Sequence, residues 1–153
     1  MKVIDSFSGN YRVLSNFYPC LIKFEGLKYP SVEHAFQAAK TLNQTQRESI
    51  RDAHTPAEAK ALGKMVRLRR DWDVTKFHVM RQCLSLKFPY PNADGEFNPL
   101  SKILLETGSA ELIEGNTWGD RIWGVYEGVG ENHLGKMLME RRDLLIEWCE
   151  ENK

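Results

Sequence analysis

The stretch Thr55-Pro56-Ala57-Glu58 leaves this chain the least conformational freedom. A threonine that can cap, a proline at the first helical position and a glutamate three residues after the threonine form a capping box with an N1 proline. That pattern predicts a helix over 55–66. Four further helices follow from the same kind of signal. Ser31 caps a segment running to about Leu42. A short helix covers 45–53. Asn98 caps and Pro99 enters a helix to about Thr107, with Gly108 as its stop. In 133–150 Leu134, Leu138, Leu145 and Trp148 recur at helical spacing. A sixth, 73–88, places Val74, Phe77, Met80, Leu84 and Phe88 on one stripe. Strand signals are short: 2–7, a hairpin over 21–29 turning at Glu25-Gly26, and an alternating run at 110–115. Segments 9–20, 88–97 and 116–133 read as loops, the last Gly-rich with no helical period. The expected fold is therefore helix-dominated α+β, one domain over 1–153 with several helices and a few short strands. No β-α-β alternation and no Gly-x-Gly-x-x-Gly after a strand occur, which argues against a dinucleotide fold.

A chain of 153 residues, 42% apolar and 27% charged, can bury a real core in one domain. Lys plus Arg and Asp plus Glu number 21 each, so the formal net charge is zero. That argues against nucleic-acid affinity resting on bulk positive charge. The one dense basic run, "KMVRLRR" (64–70), reads as a solvated helix end. Cys20, Cys83 and Cys149 are odd in number, widely spaced and without a Cys-x-x-Cys pair, which points to a reducing compartment. No apolar leader opens the chain and no stretch approaches a membrane span, so a cytoplasmic protein is expected.

The capped segment "YPSVEHAFQAAK" (29–40) carries unusual polar chemistry. At about 100° per residue, Glu33, Gln37 and Lys40 share one helix face. Ala35, Ala38, Ala39 and Leu42 fall opposite and suit close packing. A carboxylate, an amide and an amine thus stand in line. Taken alone, the charges are also what a helix dipole favours at its two ends. His34 lies beside the line, and with no His-x-x-x-His pair no metal site is expected.

Three other segments offer binding groups. "RVLSNFYP" (12–19) sets Ser15 and Asn16 beside Phe17, polar groups that can orient a ligand against an aromatic ring. Their simpler role is to cap their own loop. "NTWGDRIWGV" (116–125) puts Asp120 directly after Trp118-Gly119, an aromatic plane next to a carboxylate; a glycine turn with a buried Trp fits the pattern equally. "EGVGENHLGK" (127–136) leads through glycines into a helix expected to be capped by Asn132, where free backbone N–H groups can hold a phosphate.

In order and spacing, "FSGNYRVLSNFYP", "YPSVEHAFQAAK", "WDVTKFHVMRQCLSLKF", "LLETGSAELIEGN", "WGD" and "GENHLGKMLMERRDLL" resemble the NADAR (YbiA-like) N-glycosidase family. The resemblance spans nearly the whole chain, from Phe7 to about Leu145. It departs at Arg121-Ile122-Trp123, where some relatives continue with further glycines. The resemblance implies hydrolysis of a bond between ribose C1 and a nitrogen. Two substrate classes follow: ADP-ribose on the amino group of guanine in nucleic acid, with an antitoxin-like role against an ADP-ribosyltransferase toxin, and the ribosylamino-pyrimidine phosphates of riboflavin biosynthesis. It also implies Glu33, Lys40 and Asp120 as catalytic groups. Ser15, Asn16, Phe17, His34, Gln37, Trp118, Gly119 and Asn132 would bind substrate. No cofactor and no metal are needed. Lys40 is open to two roles, a Schiff base at C1 or a phosphate contact. Two other classes of function remain as alternatives: a non-catalytic ADP-ribose or nucleotide-binding module, and a helical interaction protein.

Overall fold

The computed structural model describes residues 2–153. Its elements run β1 (Val3–Ile4), a 3-10 helix (Gly9–Leu14), β2 (Ile22–Phe24), β3 (Leu27–Tyr29), α1 (Val32–Ala39), α2 (Gln44–Arg51), α3 (Pro56–Gly63), α4 (Trp72–Lys87), α5 (Pro99–Glu106), β4 (Glu111–Leu112), β5 (Gly115–Asn116), β6 (Val125–Tyr126) and α6 (His133–Glu151). Helix dominates and the strands are two or three residues long, as expected for helix-rich α+β. The chain divides into two compact units: Asn16–Lys87 is one, and the residues up to Ser15 together with Phe88–Lys153 are the other. Among the described residues no helix is long and apolar enough to cross a membrane.

In the Asn16–Lys87 unit, β2 and β3 form the expected antiparallel hairpin, pairing Ile22 with Tyr29 and Phe24 with Leu27. Glu25 (φ 45°) and Gly26 (φ 88°) both take left-handed backbone, the geometry that keeps a two-residue hairpin matched to strand twist. The predicted caps of α1 and α3 hold at the atomic level: Ser31 Oγ accepts from the His34 N–H and Thr55 Oγ1 from Glu58 N–H. Helix α2 starts at Gln44, with Asn43 Oδ1 accepting from Gln46 N–H, a cap its sequence reading did not name. The capping box closes one residue early: Glu58 Oε2 accepts from His54 N–H at 3.1 Å, not from Thr55. Helix α1 ends at Ala39, short of the expected Leu42, and Leu42 is exposed instead of packed. The stripe of α4 also differs. Val74 is 80% exposed, while Val79, Met80, Cys83, Leu84 and Lys87 are buried. The core gathers Ile22, Phe24, Tyr29, Val32, Phe36, Ile50 and Trp72, with the Phe36 and Trp72 rings 5.0 Å apart.

A lysine inside that stripe has a thermodynamic consequence. Burial pushes the Lys87 amine down from 10.5 to about 8, and pushes the Cys83 thiol up from 9.0 to about 12. Between about pH 8 and 10.5 the unfolded chain holds a proton at Lys87 that the folded chain has lost, so raising pH favours folding there. From pH 9.0 upward the unfolded Cys83 ionises while the folded thiol does not, and the gain is offset. Urea midpoints should therefore rise from pH 8 to pH 9, by up to about 1.4 kcal/mol per pH unit, and then level or fall. Lys87→Met should remove the rise. A wild type whose stability is flat over that interval would contradict this.

In the other unit, β1 pairs with β4 and β5 with β6, both parallel. The alternating run at 110–115 is thus split between β4 and β5. The segment 9–20, expected as a loop, begins with the 3-10 helix. Helix α5 is entered as predicted, with Asn98 Oδ1 accepting from Leu100 N–H and Gly108 at φ 63° after its end. Helix α6 buries Leu134, Leu138 and Leu145, while Trp148 is half-buried. Its Arg142 is also buried and donates to Thr107 Oγ1 at 2.8 Å.

Candidate functional site

The polar line of α1 is not a surface. All eight residues of α1 are buried, including Glu33 at 8% exposure and Gln37 at 4%. Gln37 Nε2 donates to Glu33 Oε1 at 2.8 Å, the i to i+4 contact that helical spacing predicts. Helix α3 packs on α1 through Gly63. A Cβ built on Gly63 would stand 1.9 Å from Gln37 Oε1. The glycine therefore admits the carboxamide and holds its oxygen away from Glu33, so that the nitrogen faces the carboxylate. Gln37 Oε1 has no hydrogen-bond partner, a cost of about 1–3 kcal/mol that this orientation carries.

Lys40 closes α1 as its C-cap, half-buried, with its carbonyl accepting from Arg69 N–H at 2.7 Å. Burial lowers its pKa below the usual 10.5; the Glu33 carboxylate pulls it up, and Lys60 and Lys64 push it further down. An amine in this setting loses its proton more readily than a solvated lysine.

Asn16 joins this group. Its carbonyl accepts the Glu33 N–H at 3.1 Å, and its Nδ2 reaches Met80 Sδ at 3.6 Å. Its Oδ1 is buried with no partner. The neighbouring Phe17 ring is largely exposed. His34 has a different task. Its Nε2 lies 3.0 Å from the Ala53 carbonyl, so that nitrogen must carry the proton. Its Nδ1 then accepts from Ser31 Oγ at 2.7 Å, while Ser31 Oγ accepts from the His34 N–H. Nδ1 is spent on the Ser31 cap of α1 and Nε2 on tying α1 to Ala53, and burial lowers the pKa of a ring already fixed as neutral.

The remaining predicted residues lie in the other unit. Ser15 ends the 3-10 helix, its N–H donating to Arg12 O. Trp118 is 60% exposed, not the buried residue of a glycine turn, and Gly119 beside it takes φ 88°. Asp120 Oδ1 accepts from Ile122 N–H at 3.0 Å and Trp123 N–H at 2.9 Å, and the Asp120 N–H donates to Asn116 Oδ1. One carboxylate oxygen thus shapes the turn. Asn132 stands before α6 but does not cap it. Its Oδ1 accepts from Glu114 N–H and its Nδ2 donates to Leu112 O. The N–H groups expected free for phosphate at this helix start are engaged: His133 with Ile122 O and Leu134 with Trp123 O.

Two charged residues escaped the sequence reading. Lys87 shares a stripe with Met80, Cys83 and Leu84, and its place at i+7 from Met80 was the available signal. Glu114 accepts from Asn116 Nδ2 through Oε2 at 3.1 Å, at the end of the alternating run 110–115. Among the described residues no three His, Cys, Asp or Glu side chains gather as a metal-binding group.

Residues 5–146 match the NADAR domain family. The chain is 38% identical over 143 residues to the N-glycosidase YbiA of Escherichia coli, covering 92% of this chain and 85% of that one. The NMR structure of E. coli YbiA superposes with a TM-score of 0.78 over 98% of this chain and 90% of that one. An N-glycosidase of Nostoc punctiforme is 38% identical over 139 residues, covering 87% of this chain and 85% of that one. A riboflavin biosynthesis protein of Vibrio vulnificus is 36% identical over 90% of this chain, which corresponds to 36% of its own length. With this fold and these relatives the chain is an N-glycosidase, a hydrolase of sugar–nitrogen bonds. It belongs to the NADAR family.

Proposed function

We propose that this N-glycosidase cleaves the bond between ribose C1 and an amino nitrogen on a flat heterocycle, using the α1 line of Glu33, Gln37 and Lys40. The substrate is ADP-ribose on the guanine amino group in nucleic acid, or a ribosylamino-pyrimidine phosphate. The observation that carries the reading is a buried carboxylate, oriented by an amide, on the same helix face as an amine whose pKa is lowered. The family match runs through both compact units.

The chemistry follows from the substrate. A ribosylamine opens its ring: the bond from C1 to the ring oxygen breaks, that oxygen takes a proton from solvent (returned when water cleaves the later Schiff base), and an iminium is left at C1. The neutral Lys40 Nζ adds to C1, and the proton it releases passes by way of Glu33 to the departing nitrogen. The heterocyclic amine leaves, C1 stays joined to Lys40 as a Schiff base, and water releases ribose and restores the amine. Asn16 Oδ1, an acceptor without a donor, takes a sugar hydroxyl. Phe17 presents an exposed ring suited to stacking. We read His34 and Asn132, whose polar side-chain atoms bond within the protein, as framework residues.

Incubation with each substrate in the presence of borohydride tests this. The expected result is a covalent ribosyl adduct on wild type, absent from Lys40→Ala, with free heterocycle released without borohydride. Because attack needs the neutral amine, kcat should rise with pH and level off below 10.5. Product without any adduct would overturn the Schiff base. Binding of ADP-ribose without product from either substrate would replace the hydrolase with a binding module.

A further inference from the structure

The densest basic run, 64–70, is not the solvated helix end that its sequence suggests. Helix α3 stops at Gly63, and residues 67–69 belong to no helix or strand. They are hydrogen-bonded onto the C-terminal end of α1. Arg69 N–H donates to Lys40 O at 2.7 Å, and the Arg69 guanidinium reaches Ala39 O at 3.5 Å. Arg67 N–H donates to Gln46 Oε1 at 3.2 Å, the oxygen that also accepts from Thr41 Oγ1 at 2.9 Å. The run is thus fixed against the turn that joins α1 to α2, directly at Lys40.

Its side chains divide. The Arg69 guanidinium is consumed by Asp71, at 2.6 and 3.1 Å, and so is structural. Arg67 and Arg70 are exposed, and among the described residues neither side chain has an ion pair or a donor contact except in solvent. Leu42 and Leu68 are exposed beside them. The two backbone anchors bracket both leucines: Leu68 lies between Arg67 and Arg69, and Leu42 between Lys40 and Gln46. No acidic residue occurs in 34–47 or in 59–70, the two stretches joined here, although the chain as a whole is neutral. Asp71, the next acid along, is engaged by Arg69 and Thr75.

We propose that Arg67 and Arg70, with Leu42 and Leu68 among them, form a surface that holds the strand of a single-stranded nucleic acid next to the α1 line. The inference rests on α1 being the catalytic face, and it chooses between the two substrate classes: the modified guanine carried in a strand. A small phosphorylated substrate needs no surface beyond its pocket. A strand continues past the modified base, and it alternates phosphates with the apolar faces of sugars and bases. Guanidiniums suit the phosphates, and only an unpaired strand presents base faces to the leucines. The zero net charge confines the attraction to this patch. A lipid surface could meet the same residues, but it gives no reason for the run to be tied to the end of α1.

The test measures binding of an unmodified, fluorescently labelled single-stranded oligonucleotide to the full chain across a range of salt. Wild type is compared with Arg67→Gln/Arg70→Gln, with Leu68→Ser, and with Lys23→Gln, an exposed lysine on β2 as charge control. The arginine pair should make the dependence of log affinity on log salt shallower by about 1.4, at roughly 0.7 for each of two phosphate contacts. Leu68→Ser should weaken binding about threefold with that slope unchanged, and Lys23→Gln should match wild type. An unchanged slope in the arginine pair, an equal change in Lys23→Gln, or no binding by wild type overturns the surface. So does binding through these residues to phosphatidylcholine vesicles containing phosphatidylserine, without binding to the oligonucleotide. Turnover separates the surface from the reading it rests on. The arginine pair should raise KM about fivefold or more for a guanine-ADP-ribosylated oligonucleotide and leave KM unchanged for the free ADP-ribosylated guanosine. A protein that binds the strand through Arg67 and Arg70 but releases no guanine overturns the hydrolase reading alone. An equal rise in KM for both substrates, or none for either, overturns the surface alone.

Discussion

Glu33→Gln is expected to lower kcat about 10³-fold while leaving the protein folded with a melting temperature within a few degrees of wild type. The asymmetry follows from the site. Glutamine has the shape of glutamate, and its carbonyl oxygen can still accept the Gln37 Nε2 hydrogen bond seen at 2.8 Å. What vanishes is the charge and the ability to carry a proton from the attacking amine to the leaving nitrogen. A buried carboxylate also costs desolvation, which the neutral amide relieves. Against this stands a loss of about 0.3–1 kcal/mol from removing an acid in the first turn of α1. The two terms oppose, so stability stays nearly level while turnover collapses. Matched kcat and thermal melts decide it. Near-wild-type turnover in a folded Glu33→Gln would remove Glu33 from the mechanism. An equal collapse of folding and rate would make it a structural residue.

The parts of the fold that sequence conveyed are those governed by local chemistry. Ser31, Thr55 and Asn98 cap where their side chains can reach an N–H two or three residues on, and that depends on nothing distant. The Glu25-Gly26 turn is legible for the same reason, since both residues must take positive φ. The stripe of α4 was misplaced because a spacing near 3.6 fits more than one face. Val74 fits the apolar pattern yet faces outward, whereas Lys87 breaks it and is buried. Only packing by the rest of the chain chooses between such faces.

The candidate site divides the same way. Helical spacing put Glu33, Gln37 and Lys40 in line, and the hydrogen bond between the first two follows from it. That the line is buried did not follow, because burial comes from α3 and the 64–70 segment folding over it. Asn132 and His34 pose the reverse case. Both are polar, both stand beside glycines or a cap, and both look available in sequence. Apart from the Ser31 cap, their hydrogen bonds go to Glu114, Leu112 and Ala53, partners 18 to 20 residues away that no local pattern names.

Gly63→Ala should separate rate from fold in a second way. The new Cβ would lie 1.9 Å from Gln37 Oε1 and 2.8 Å from its Cδ. The two nearest obstructing atoms are the far end of a flexible side chain, while Gln37 Cβ, at 3.1 Å, asks only for a small shift between the two helices. Gln37 must swing away, and in doing so it gives up the hydrogen bond that orients Glu33. Overpacking of this kind costs about 1–3 kcal/mol of stability. Displacing a catalytic carboxylate by about 1 Å costs up to about 10²-fold in kcat. Substituting Gln37 as well tests whether the two effects share one cause. Gln37→Ala alone should lose the orientation of Glu33 without any clash. In Gln37→Ala/Gly63→Ala the methyl occupies the space the carboxamide vacated, so the double variant should be more stable than the sum of single effects by about 1 kcal/mol or more. Its kcat should match that of Gln37→Ala, since the orientation is already gone. Strict additivity in both stability and rate would mean that Gly63 does not act through Gln37, and the packing of α3 against α1 would have no part in aiming the carboxylate.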